Sequence, residues 1–381
     1  MVVMFENADT AVSTKGLEML QKKFPQYNIT SKQWDMNVEK SVKTAFAADE
    51  AIDLVMYWPN QMETFVNSEM ALDLTPYLDA DPDWKTSFAD GAIELGTYNG
   101  KVFSLPYSTV YPLLEVNTDI LEQAGVEVKD QWTWDEFIAA CEKIKTNTDA
   151  FPIGVNESWA CWLVRNGFLQ SFDNIDELKK WNAGEISFKD ERIVKVFDNV
   201  ANLYNKEYCY PGAGAITTTL DQVNAAFAQG KIAIKADVNT LSVMSIKESG
   251  LKNVKVMSWP TMANSPESDR LLGGSDGYFI PSNTKHPDEA VEMLKYMLGT
   301  EVLTEYSNAG IVVPVKNLKS TIENINEFAK DANEVYPKEI MQVSSEMNNY
   351  IDKETPDNYI FYGEEVLDEL ETIRNAAIET K

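Results

Sequence analysis

The chain has 381 residues, of which 44% are hydrophobic and 11% aromatic, enough to bury a large core and to build two or three domain-sized units. Its formal net charge is −27, from 60 acidic against 33 basic residues, and an excess of that size repels phosphate backbones and anionic headgroups. Composition therefore argues against nucleic acid and membrane surfaces as partners, and no apolar run approaches the roughly 20 residues that a spanning helix needs.

The opening predicts strand, helix, strand, helix, strand over Val2–Phe5, Ser13–Phe24, Ile29–Trp34, Val38–Ala48 and Asp53–Trp58. In the first helix Leu17, Leu20 and Phe24 share one stripe, and Pro25 ends it. Short apolar strands alternating with helices indicate βαβ units and a mainly parallel sheet, which binds ligands beyond the carboxyl ends of its strands. Those ends carry Glu6 and Asn7, then Trp34, then Tyr57 and Trp58. A second α/β set begins with the strand Leu113–Asn117. Thr133 caps the helix that follows, Glu136 completes a capping box, and Phe137, Ala140, Cys141 and Ile144 line one face. Asp190–Lys206 is amphipathic through Ile193, Phe197, Val200 and Tyr204. Thr219 and Gln222 form another box, Gly230 ends that helix, and Lys231–Ala236 is a strand. The glycine-rich stretch Gly273–Ser282 reads as a further strand, followed by a helix opened by Pro287-Asp288-Glu289.

Catalytic constellations are sparse. The single histidine, His286, stands at a helix start where a polar surface residue is expected, and there is no G-x-S-x-G elbow, P-loop or G-x-G-x-x-G. Cys141, Cys161 and Cys209 are far apart in sequence and odd in number, so no disulfide framework or zinc site is expected. Asp79-Ala-Asp-Pro-Asp83 resembles the start of a calcium loop, but Trp84 replaces the glycine at the sixth position and Asp90 the glutamate at the twelfth. A solvated acidic turn is the expectation there. No metal and no cofactor are expected anywhere.

Five segments carry a family resemblance: Gly100–Pro106 (GKVFSLP), Leu113–Asp119 (LLEVNTD), Thr133–Phe137 (TWDEF), Ala225–Ile234 (AAFAQGKIAI) and Gly273–Ser282 (GGSDGYFIPS). In this order they resemble the motifs of bacterial extracellular solute-binding proteins, above all those serving carbohydrate ABC transporters. The resemblance implies an α/β fold of the two-lobed, periplasmic-binding-protein-like type II, with lobes discontinuous in sequence. It places crossings near Ser108–Pro112, Ser258–Met262 and Val312–Lys316, giving lobes of residues 1–109 plus 262–314 and 110–261 plus 315–381. It also implies a carbohydrate ligand, a permease as partner, a monomer that catalyses nothing, and export to a periplasmic or lipid-anchored extracellular location. The stretch Met1–Phe5 reads as a core strand with no basic n-region, which a removed signal and anchor segment would explain and a cytoplasmic protein would explain as well.

A pyranose has apolar C–H faces and a hydroxyl rim, so a sugar site needs flat aromatic platforms and short polar groups. The expected platforms, at strand ends or crossings, are Trp34, Tyr57, Trp58, Tyr107, Tyr111, Trp159 and Trp259. Trp134 is expected to staple its helix, Trp162 to enter the core, and Trp84, Trp132 and Trp181, beside polar turns, to lie at the surface or rim. The expected polar partners are Glu6, Asn7, Asp237, Asn239, Ser275 and Asp276, with Asp237 and Asp276 on opposite lobes. Gly273, Gly274 and Gly277 would let backbone approach the ligand. The four arginines, Arg165, Arg192, Arg270 and Arg374, are few for a protein that clamps anions, which favours a neutral solute. A peptide, a polyol or a charged small molecule is the alternative ligand. A glycan-active enzyme with paired carboxylates is the alternative class, since sequence does not give the distance between carboxyls.

Overall fold

The computed structural model of the chain describes residues 1–5, 11–33, 38–89, 91–157, 160–239, 246, 249–264, 269–309, 311–316, 318, 335–337, 347, 350–351 and 357–379. It divides into two compact units, Met1–Val110 with Gly273–Pro337, and Tyr111–Leu272 with Lys338–Lys381. The second and third divisions thus fall later in the chain than the expected 261–262 and 314–315.

The strands of the two larger sheets are β1 (Val2–Phe5), β2 (Thr30–Gln33), β3 (Leu54–Tyr57), β4 (Ser104–Pro106), β5 (Pro112–Asn117), β6 (Phe151–Gly154), β7 (Ile232–Val238), β8 (Val254–Ser258) and β9 (Gly277–Phe279). Unit 1 orders them β2-β1-β3-β9-β4, and unit 2 orders them β8-β5-β7-β6. The opening is parallel as its βαβ pattern predicts, β1 pairing with β2 and β3. The sheets as wholes are mixed, however, not mainly parallel. In unit 1 the returning strand β9 runs antiparallel to both β3 and β4. In unit 2 β5 runs antiparallel to both β7 and β8, and only β6 and β7 are parallel. The reason is connectivity: β9 reaches its sheet by a return from another unit, and no crossover helix fixes it parallel.

Period-2 alternation decides which side chains unit 1 buries on each face. Val3, Phe5, Leu54, Met56 and Tyr278 pack with Leu20, Phe24 and the helices Pro287–Met297 and Thr300–Asn308. Met4, Val55, Tyr57 and Phe279 point the other way, onto Val38, Val42 and Ala45 of helix Val38–Ala47. Both faces are covered, as in a three-layer α/β domain.

In unit 2 the helix Trp134–Asn147 starts in the expected capping box of Thr133 and Glu136, and buries Trp134, Phe137, Ala140, Cys141 and Ile144. The helix Leu220–Ala228 starts in the box of Thr219 and Gln222. Three tryptophans expected at the surface or rim are instead buried. Trp181 is inaccessible among Phe168, Phe172 and Phe188, under the Arg374 guanidinium, because its helix Ile175–Asn182 sets Leu178 and Trp181 on one buried stripe. Trp132 stacks on Phe137, and Trp84 packs on Phe88 beneath the Lys295 ammonium. Conversely, Trp162 is only half-buried. The acidic turn before Trp84 is a helix cap: the Asp81 carboxylate accepts from Trp84 N at 3.0 Å and pairs with Lys295.

Gly277 is where β9 enters its sheet. A Cβ there would overlap the carbonyl of Leu105 in β4 and lie 2.5 Å from Pro59 Cγ. Gly277→Ala is expected to destabilise unit 1 by about 1–3 kcal/mol through overpacking against backbone that has no room to yield. Urea unfolding measures this, and an unchanged midpoint would show that the sheet relaxes freely.

Candidate functional site

Four of the expected ligand residues, Glu6, Asn7, Trp34 and Trp159, lie outside the described residues. The remainder are placed, and each unit collects some of them at strand ends.

In unit 1 the end of β3 meets the start of β9. Trp58 follows β3 directly and is half-buried, its ring 5.2 Å from that of Tyr57 and tilted by 49°. The turn after it is held rigid by Tyr98, whose hydroxyl donates to Pro59 O at 3.1 Å and accepts from Met62 N at 3.0 Å. Asp276, one residue before β9, accepts a hydrogen bond from the Ser108 hydroxyl at 2.8 Å and another from the Trp58 side chain. Its own amide donates back to Ser108 Oγ at 3.0 Å. Burial pushes the Asp276 carboxyl above its ordinary range, against the pull of those two donors. The buried Ser275 hydroxyl donates to Ser108 O at 2.8 Å, and Gly274 faces the buried Asn60 side chain, with room for a Cβ about 3.8 Å from Asn60 Oδ1. Trp58, Asn60, Ser108, Gly274, Ser275 and Asp276 therefore form one connected face.

Two members of this face, Asn60 and Ser108, were not singled out from sequence. Asn60 lies in the Trp-Pro-Asn turn directly after a predicted strand end, a position that could have flagged it. Asp276 also differs from expectation in its partners: its carboxylate is engaged by unit 1's own donors and orients the Trp58 indole.

Two tyrosines expected as platforms belong to the core of unit 1. Tyr57 takes the inner face of β3 and packs edge-on against Phe65 and Phe279. Tyr107 lies against Tyr278 and Tyr306, with centroids at 5.1 and 5.4 Å. A strand end gives position along the strand but not the face, and alternation sends both rings inward.

In unit 2 Tyr111 and Asn239 bracket the β5–β7 ladder. Asn239 N donates to Tyr111 O and Tyr111 N to Asn239 Oδ1, each at 3.1 Å. Burial raises the Tyr111 hydroxyl, which stays neutral beside the Asn239 side chain. Asp237 is not available to a ligand. It is 1% exposed and ion-paired to Lys235 at 2.7 Å. Trp259 is likewise buried: Ser258 N donates to Asp130 O and Thr261 N to Trp132 O, which stitches this segment down and turns the indole inward. A cavity of about 330 Å³ opens elsewhere in unit 2, lined in part by Trp134, Arg192, Lys195, Asn199 and Met262. None of the expected ligand residues among the described ones lines it, and its arginine is already committed to Asp190 and Glu177.

Comparison with known proteins agrees with this architecture. The family model described as bacterial extracellular solute-binding protein matches residues 9–303. The chain belongs to that family. It is 23% identical over 230 residues, 60% of its length, to the arabinooligosaccharide-binding protein of Bacillus subtilis (strain 168), of which the match spans only 51%. A shorter stretch of 71 residues, 18% of this chain and 16% of the relative, is 35% identical to the sn-glycerol-3-phosphate-binding periplasmic protein UgpB of Rhizobium meliloti (strain 1021). Among solved structures, the fold is shared with a chitin oligosaccharide binding protein, at a TM-score of 0.82 and 17% identity over 100% of both chains. It is also shared with the SBP RafE in complex with raffinose, at 0.78 and 20% identity over 99% of this chain and 100% of that one.

The Ser108 hydroxyl favours the ionised form of Asp276, so Ser108→Ala should move the Asp276 carboxyl further up. A carboxyl raised on folding holds its proton while the unfolded chain releases it, so stability falls as pH climbs from the ordinary carboxylate range to the raised one. Denaturant midpoints between about pH 4 and pH 8 should therefore decline more steeply in Ser108→Ala than in the parent. Parallel declines would show that the hydroxyl does not act on Asp276.

Proposed function

We propose that the protein binds a neutral oligosaccharide and delivers it to the membrane permease of an ABC importer, returning the sugar chemically unchanged. The observation that carries this reading is Trp58. Its indole is half-buried and its edge is tied to Asp276, one residue before β9. A flat apolar surface with its polar edge already satisfied suits the C–H face of a pyranose. Relatives whose names specify arabinooligosaccharide, raffinose and chitin oligosaccharide support the same ligand class.

The two units, each discontinuous in sequence, serve in this reading as lobes joined by three crossings, with the ligand preferring the closed arrangement and shifting its population. The permease would recognise the closed pair. The protein would act as a monomer, without cofactor, outside the cytoplasmic membrane, held there by a lipid anchor or free in a periplasm.

Trp58→Ala should weaken oligosaccharide binding by about 1–3 kcal/mol and, because it also removes the indole donor to Asp276, lower the unfolding midpoint of unit 1. Calorimetric titration of both proteins tests this, and equal affinities would remove Trp58 from the site. Small-angle scattering tests the closure: a saturating sugar should reduce the radius of gyration, and superimposable curves with a confirmed tight ligand would contradict it.

A further inference from the structure

The residues directly after Trp58 make one turn of 3-10 helix, Pro59–Gln61, in which Gln61 N donates to Trp58 O at 2.9 Å. The next pair in that series is Met62 N and Pro59 O. The Tyr98 hydroxyl bonds to both of them, accepting from Met62 N at 3.0 Å and donating to Pro59 O at 3.1 Å. One hydroxyl thus bridges the two ends of the turn, and its single proton is spent on the Pro59 carbonyl. The turn has no such support of its own. Trp58 makes no side-chain cap, Pro59 has no N–H, and the helix Glu63–Asn67 that follows starts at Met62 without a side-chain cap either.

Tyr98 is itself held from elsewhere in unit 1. It stands on a two-stranded hairpin, Thr97–Tyr98 against Lys101–Val102. Asn99 and Gly100 form the tip with φ of 51° and 76°, the left-handed pair that a tight hairpin turn requires. On the other side the hairpin is pinned to the segment Asp73–Thr75. Lys101 Nζ pairs with Asp73 at 3.1 Å, Val102 N donates to Thr75 Oγ1 at 2.9 Å, and Leu74 N donates to Val102 O at 2.7 Å. The rings of Tyr98 and Trp58 both pack against the apolar cluster that holds Tyr57, Phe65 and Phe279. The hydroxyl therefore reaches the turn from a base that does not depend on the turn.

We propose that Tyr98 is a positioning residue of the Trp58 face: its hydroxyl sets the Trp58–Met62 turn, and through the turn the attitude at which the indole meets a sugar, without touching the sugar. The inference rests on the reading of Trp58 as a sugar platform. The indole is then restrained twice. Asp276 accepts from its side chain, and Tyr98 fixes the backbone that carries it. Asn60, the middle residue of the turn and 7% exposed, is carried by the same bridge. A platform set before the ligand arrives loses less freedom on binding than one the ligand must order.

Tyr98→Phe removes the hydroxyl and keeps the ring. Fluorine NMR of the sugar-free protein carrying 5-fluorotryptophan reads the consequence, the Trp58 line being the one of nine that Trp58→Phe deletes. In Tyr98→Phe that line should shift or broaden while most of the others stay in place. Calorimetric titration with raffinose, arabinooligosaccharides and chitin oligosaccharides should show the affinity for whichever sugar binds the parent reduced about three- to tenfold, the worth of one lost hydrogen bond. A Trp58 line that does not move, or one that moves with affinity unchanged, would overturn the proposal. Should Tyr98→Phe not fold, hydrogen exchange of the Met62 amide in parent protein carrying 15N-labelled methionine decides: protection supports the bridge, and exchange at the rate of an unstructured chain overturns it. A parent that binds none of these sugars defeats the platform reading, while the fluorine line still decides whether Tyr98 sets the indole.

Discussion

The arrangement of unit 1 depends on one insertion: strand β9, arriving from residues beyond unit 2, wedged antiparallel between β3 and β4. It fits because Gly277 presents no side chain to the backbone of β4. The wedge closes the sheet and at the same time brings Asp276 and Ser275 against Ser108 and Trp58. Residues more than 160 positions apart, Ser108 and Asp276, become a two-way hydrogen-bonded pair. A core requirement and a surface arrangement thus share one cause. Sheet closure supplies the rigid frame, and the frame holds a tryptophan in a single orientation.

Unit 2 is built with the same economy but around a different device. Its central strand β5 is buried along its whole length, yet carries Glu115 in the middle of it. Such a residue is tolerated only when its charge is neutralised and its hydrogen bonds are met. Lys235 on the adjacent strand pairs with it at 3.1 Å, and with Asp237 at 2.7 Å. Asp237 therefore belongs to the interior chemistry of the unit, and the end of the same strand, Asn239 with Tyr111, supplies the polar edge.

Much of this was legible in the sequence. The two capping boxes at Thr133 and Thr219 are local devices that need only residues three apart, and both formed as read. The opening βαβ order rests on hydrophobic spacing, which tertiary structure had no reason to override. Motif order identified the family that the family model then matched over residues 9–303. What failed was orientation. Trp84, Trp132 and Trp181 have polar sequence neighbours, yet their rings turn into apolar surroundings, because composition beside a residue does not say which way it points. Tyr107, Trp259 and Asp237 were at plausible strand ends, but face and partner were decided by pairings across the fold. The antiparallel entry of β9 was hidden for the same reason: strand direction in a discontinuous unit is a property of the connection, which no local window contains. Trp58 and Asp276 were each singled out, while the bond between them was not.

The central claim is that this fold presents a neutral-sugar face, and not an anion site or a catalytic centre. Isothermal titration of the parent protein against raffinose, arabinooligosaccharides, chitin oligosaccharides and sn-glycerol 3-phosphate, with chromatography of each ligand after prolonged incubation, tests it most directly. The account predicts saturable binding of at least one neutral oligosaccharide, recovered intact, and none of the phosphate ester. Binding of the phosphate ester alone, or recovery of the sugar as cleaved products, would contradict it.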